Sequence, residues 1–115
     1  MSRGSDSEDL ALHYLQQQGL KLIERNWRCR LGELDLVMQD GDTVVVVEVR
    51  GRSRPEFGTA AESVDFRKQS RIQRATQQML AARRDLAGRP LRFDIVAIDG
   101  QGEIEWLQAA FEGSE

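Results

Sequence analysis

The sequence predicts an α/β fold, a mixed sheet flanked by helices, in the order helix-strand-strand-strand-helix-strand-strand. Three observations carry this expectation. Two amphipathic helical stretches, one ending near Gln18 and one over 65–86, bracket a run of strand-forming segments. Within that run, Gly32–Arg50 holds two apolar segments on either side of Asp40-Gly41, the strongest short-range hairpin signal. An antiparallel meander joined to a crossover helix then implies a mixed sheet with helices packed on it.

The first element follows a short lead-in, residues 1–6. Ser5-Asp6-Ser7-Glu8 has capping-box form, with Ser5 at the N-cap and Glu8 at N3. The helix should run to Gln18, with Leu10, Ala11, Tyr14 and Leu15 on one face and Gly19 as its stop. Glu8 thus has a structural job available, and its functional alternative is a carboxylate reaching the strand pair. His13 is the single histidine, with no second imidazole or thiol near it, which argues against zinc. Leu20–Leu31 reads as a strand, with Leu22, Ile23 and Trp27 as core candidates. Cys29, the one cysteine, reads as a packing residue. It permits no intramolecular disulfide, so a reducing cytoplasm is the expected location.

The central hairpin carries three carboxylates, Glu33, Asp35 and Glu48, inside otherwise apolar strands. Buried unpaired charge is costly, so they require a reason. A two-residue loop at Asp40-Gly41 pairs Val37 with Val44, Asp35 with Val46 and Glu33 with Glu48. Glu33, Asp35, Glu48 and Arg50 then point the same way. Asp35 and Glu48 become diagonal neighbours, about 7–8 Å apart at the backbone. A four-residue loop would place them directly opposite each other. Clustered oxygen ligands suit Mg²⁺ or Mn²⁺. A solvated edge hairpin is the competing reading, and spacing alone leaves both open.

The remaining elements follow from punctuation and period. Gly51–Gly58 reads as an arginine-bearing loop, with a short turn at 60–63. Asp65 caps the second helix, whose core stripe is Ile72, Ala75, Met79 and Leu80, with Ala82 and Leu86. Gly88 and Pro90 end it. Leu91–Ile98 is a strongly apolar strand in which Asp94 reads as a buried structural acceptor. Asp99–Gly102 is a turn, and Glu103–Leu107 alternates as an edge strand does. Ala109, Ala110 and Phe111 should pack back, leaving 112–115 as a loose tail. The whole, 1–115 with 40 % hydrophobic residues, fits one domain, and no apolar run is long enough for a membrane span.

The net charge of −3 hides an asymmetry. Between Arg50 and Arg92 lie eleven Lys or Arg and four acids, a local charge of +7 against −10 for the remainder. A basic half beside an acidic strand pair is the pattern of a phosphate-binding surface next to a carboxylate metal site. A solvated basic helix face is the plainer explanation of the same charges.

These residues together resemble the YraN family, small bacterial proteins similar to Holliday-junction resolvases. The likeness runs through Glu8, Ala11, Tyr14-Leu15, Arg25-Asn26-Trp27-Arg28, Gly32-Glu33-Leu34-Asp35-Leu36, Val47-Glu48-Val49-Arg50, Phe57-Gly58, Lys68, Arg71, Arg92-Phe93-Asp94-Ile95-Val96 and Ala110-Phe111. It implies a restriction-endonuclease-like fold and a Mg²⁺- or Mn²⁺-dependent endonuclease acting on branched or structured DNA. By position it makes Asp35 and Glu48 metal ligands and Glu8 the helix carboxylate. Arg50 stands where such nucleases usually carry lysine. Arginine cannot be a general base but can stabilise phosphate charge, and Lys68 could supply the missing amine. Arg52, Arg54, Lys68 and Arg71 are the expected backbone-phosphate grips. A resolvase cutting two strands needs two sites, so a homodimer is expected. The other reading is a non-catalytic nucleic-acid-binding or recombination accessory module with a degenerate site.

Overall fold

A computed structural model describes residues 3–52 and 63–112, with side chains from 6 to 51 and from 63 to 112. The elements are α1 (Arg3–Gln17), β1 (Lys21–Cys29), β2 (Gly32–Asp40), β3 (Thr43–Arg52), α2 (Phe66–Ala82), β4 (Leu91–Asp99) and β5 (Ile104–Phe111). The five strands form one sheet in chain order. Only β3 and β4 pair in parallel; the other neighbours are antiparallel. This is the mixed sheet and the element order expected from the sequence.

The two helices cover opposite faces. Ala11 and Leu15 of α1 pack on Leu36, Met38, Val45, Val47, Val96 and Ile98. Ile72, Ala75 and Met79 of α2 pack on Leu34, Val37, Val44, Val46, Phe93 and Ile95. Along Val44–Val47 the side chains alternate between the two clusters, as a strand covered on both faces requires. Thr76 joins the buried face of α2 because its hydroxyl donates to the Ile72 carbonyl at 2.7 Å.

Helix ends follow local chemistry. At the end of α1, Leu20 N–H donates to Leu15 O and Gly19 N–H to Gln16 O, both at 3.1 Å. This is the Schellman pattern, with Gly19 at φ 100 and Leu15 and Leu20 buried together. Asp65 caps α2 by accepting from Lys68 N–H at 2.9 Å, as expected. Asp94 is the structural acceptor the sequence suggested. It is buried and takes bonds from Arg92 Nε and Nη2, Trp106 Nε1 and Ala109 N–H, all between 2.9 and 3.0 Å.

Several boundaries differ from expectation. The helix α1 starts at Arg3, so Ser5 lies inside it rather than at its N-cap position. Asp6 instead occupies the first turn, where a carboxylate complements the helix dipole. Leu10 is exposed rather than on the core face, and so is Leu22. A register shift between Leu22 and Glu24 gives Ile23 the inward position on the α2 side. The helix α2 stops at Ala82, itself exposed. Turns with Leu86 N–H on Arg83 O and Ala87 N–H on Arg84 O follow, and they still bury Leu86. Gly51 and Arg52 extend β3 through parallel pairing with Ile98 and Asp99 instead of opening a loop. The rest of that expected loop, and the turn at 60–62, lie outside the described residues. β5 runs on to Phe111, which stacks on Phe93 at 5.0 Å between ring centroids.

The hairpin register also differs. Asp40 pairs with Thr43, Gln39 with Val44 and Leu36 with Val47. The two-residue loop is therefore Gly41-Asp42, not Asp40-Gly41. Gly41 has φ 61, which suits the first central position of a type II′ turn. This register is two residues from the expected one, so the side chains of the paired segments, 36–40 and 43–47, keep their faces. Continued by one residue it sets Asp35, rather than Glu33, opposite Glu48.

Candidate active site

The site forms where β2 and β3 part. Their pairing ends at Leu36 and Val47, while β3 continues alongside β4 to Arg52. The departure strands backbone groups on β3, and Asp35 answers one of them: its Oδ2 accepts from Val49 N–H at 2.9 Å. The fork thus fixes Asp35 beside Glu48.

On the other side of β2, the ladder with β1 pairs Arg25 with Leu36 and Trp27 with Leu34, passing over Asn26. Asn26 adopts φ 54, a left-handed conformation that asparagine tolerates better than most residues. The side-chain alternation of β2 breaks at the same level, since Leu34 faces α2 and Leu36 faces α1. Asn26 Nδ2 donates to Glu8 Oε1 at 2.8 Å and to Glu33 Oε1 at 3.2 Å. One oxygen each from Glu8, Glu33 and Asp35 lies within 4.8 Å of the others.

Glu48 sits on the opposite flank of Asp35 and is 4 % exposed. Lys68 Nζ, arriving from the first turn of α2, is 3.3 Å from Glu48 Oε2, and Arg50 Nη1 is 3.8 Å from the same oxygen. Burial, reinforced by the charge of Asp35, pushes the Glu48 carboxyl up to about 7 against the pull of Lys68. Asp35 is also raised, by burial above all, with the Val49 N–H working the other way. The two carboxyls crowd each other in a buried setting, so both are held above the usual carboxylate range.

Beside the acids lies a cleft of about 310 Å³ lined by Arg50, Ser63, Asp65, Arg67, Lys68 and Arg71. Arg50 Nη2 donates to the Ser63 carbonyl at 3.1 Å. Its Nε is buried and has no hydrogen-bond partner among the described residues.

The sequence candidates thus fall into three groups. Glu8, Asp35, Glu48, Arg50 and Lys68 converge, and Arg71 lines the adjoining cleft. The Arg52 side chain and Arg54 lie outside the described residues. Two participants were not singled out from the sequence, Asn26 as the bridge of the acid cluster and Arg67 in the cleft, whereas Glu33, grouped there with Asp35 and Glu48, lies with Glu8 and Asp35. Glu33 carried a signal, two residues before Asp35 on the same strand. Asn26 carried only the weak one that asparagine admits positive φ.

The donor set is suited to a hard cation. Every carboxylate in it is oxygen-only, and the buried pair is crowded enough to retain a proton near neutrality, a cost that a divalent ion relieves.

Comparison with known sequences adds the context of relatives. A family model described as "Uncharacterised protein family UPF0102" matches residues 7–98. A UPF0102 protein of Pseudomonas savastanoi pv. phaseolicola is 52 % identical over 113 residues, covering 95 % of this chain and 92 % of its own. One from Stutzerimonas stutzeri is 53 % identical over 114 residues, covering 96 % and 95 %. One from Nitrosomonas eutropha is 52 % identical over 111 residues, covering 96 % and 94 %.

Proposed function

The chain belongs to the UPF0102 family, also called YraN, and from that premise we propose that it is a metal-dependent endonuclease of the Holliday-junction-resolvase kind, acting on structured DNA. One observation carries the reading. A buried carboxylate pair, Asp35 and Glu48, meets a lysine amine at 3.3 Å, and that lysine together with Arg50 lines the adjoining arginine-rich cleft.

Asp35 and Glu48, with Glu8 and Glu33 beside them, would hold Mg²⁺ or Mn²⁺. When bound, such an ion supplies Lewis acidity toward the scissile phosphate and lowers the pKa of a nearby water. The chain's own groups supply the rest. Lys68 brings a compact ammonium to the acid pair, the service that a lysine two residues after Glu48 would otherwise perform. Arg50, always protonated, is suited to the charge that accumulates on phosphate oxygens and not to proton abstraction. Its buried Nε, without a hydrogen-bond partner among the described residues, is a donor that lacks its acceptor. Arg67 and Arg71 offer contacts to flanking phosphates, which position a nucleic acid without reading its sequence. Because Glu48 retains its proton up to about pH 7, ligand deprotonation couples occupancy of the site to pH.

The test is Asp35→Asn. The amide keeps an oxygen for the Val49 N–H, so the fold survives, while calorimetric Mn²⁺ binding and cleavage of junction DNA are lost. Unchanged cleavage refutes the assignment. Arg50 supports the second reading, a binding module without chemistry. That protein would bind DNA in a salt-sensitive manner, indifferent to Mg²⁺, and would cleave nothing.

A further inference from the structure

The first residue of α2 is a phenylalanine that the core does not use. Phe66 is 84 % exposed, far more than Leu10, Leu22 or Leu31, the other large apolar side chains in the open among the described residues. Leaving an aromatic of this size in water gives up burial the fold had available. The capping chemistry does not require it, since Asp65 caps the helix through Lys68 N–H.

Its position is particular. Asp65 and Arg67, its neighbours on both sides, line the basic cleft, with Lys68 and Arg71 along the same helix. Consecutive Cα atoms are about 3.8 Å apart, so the ring springs from the backbone between two cleft-lining residues while lying outside the lining itself. Four cationic side chains, Arg50, Arg67, Lys68 and Arg71, line that cleft, and the Nε of Arg50 is buried without a partner among the described residues. A cation-lined groove with an aromatic at its rim is the arrangement that holds a backbone phosphate and stacks the adjoining base.

We propose that Phe66 stacks on an unpaired base whose backbone phosphate occupies the Arg50–Arg67–Lys68–Arg71 cleft, giving the protein a preference for DNA with unstacked bases over continuous duplex. This rests on the nucleic-acid reading above and narrows its substrate class to branch points, flaps and single-stranded junction arms. In a continuous duplex the base faces are already occupied by their neighbours, so Phe66 has nothing to stack on. At a branch, a base free of its partner offers a face at little unstacking cost.

The experiment uses the full-length protein in EDTA, which stops cleavage, and fluorescence anisotropy on two DNAs of equal length: a flap with unpaired nucleotides at the branch, and an uninterrupted duplex. Wild type should prefer the flap. Phe66→Ala should weaken flap binding about tenfold and leave duplex binding within about twofold. Phe66→Trp should retain the preference. Arg67→Ala and Arg71→Ala should weaken both DNAs alike and lower the salt slope by about one each. Phe66 is exposed, so its variants should melt with wild type, which a thermal scan checks. Equal effects of Phe66→Ala on both DNAs, or none on either, overturn the stacking inference while arginine sensitivity upholds the nucleic-acid reading. A change in oligomeric state on Phe66→Ala without loss of flap preference assigns the ring to self-association and overturns it too. Failure of wild type to bind either DNA at low salt overturns both readings.

Discussion

Replacing Glu48 by glutamine isolates the electrostatics of the strand fork. Glu48 is almost wholly buried, and its carboxyl is pushed from 4.5 up to about 7 by burial and then by Asp35. Between those two values the folded protein keeps a proton that the unfolded chain has released. Stability from this group therefore falls as pH rises through the window, and the loss is complete above about pH 7. The interval from 4.5 to about 7 corresponds to about 3 kcal/mol at full ionisation. Glutamine is neutral throughout and close in shape, so the variant escapes this loss. Lys68, already partly exposed, can turn to water. In the presence of chelator, urea midpoints at unchanged m should give similar stabilities at pH 5, allowing for a constant cost of burying the amide. At pH 8.5 the variant should gain about 2–3 kcal/mol on wild type relative to that baseline. A difference that stays flat with pH, or moves the other way, refutes the account of Glu48 as a crowded, buried acid.

Three further outcomes are expected. Lys68→Met should abolish cleavage of junction DNA, and Arg50→Lys should preserve or raise it; a cleavage time course on both variants separates the helix amine from the strand cation. Asp94→Ala should cost about 3–5 kcal/mol in a denaturant titration, because it strands donors from Arg92, Trp106 and the Ala109 backbone. Gly41→Ala should cost about 1–2 kcal/mol from its positive φ alone, since nothing lies within 4 Å of an added Cβ; thermal melting measures this.

Much of this architecture could be read in the sequence because local rules agreed with the tertiary outcome. Gly19 and Asp65 act at helix ends as their chemistry dictates. The valine run of β3 declares a strand buried on both faces. The approach of Asp35 to Glu48 was legible even with the wrong turn, because a two-residue slip preserves facing. What stayed hidden was set by backbone irregularity and by packing between layers. Only the tolerance of asparagine for positive φ hints that Asn26 is left-handed within a strand-like run, too little to foresee its bridge between Glu8 and Glu33. The register belongs to Gly41, whose conformation selects one turn among several that Asp40-Gly41-Asp42 could make. The membership of Arg67 in the cleft depends on how α2 crosses the sheet, which periodicity does not specify.

The bond between the Asp35 carboxylate and the Val49 amide gives the molecule a spectroscopic reporter of its own. A backbone N–H held by another strand senses little beyond its ladder. This one is held by the side chain at the centre of the acid cluster. Any change of proton, cation or phosphate at Asp35 alters the polarisation of that single amide. Its resonance in a ¹⁵N-labelled sample is therefore a residue-specific readout of the site, available without a substrate.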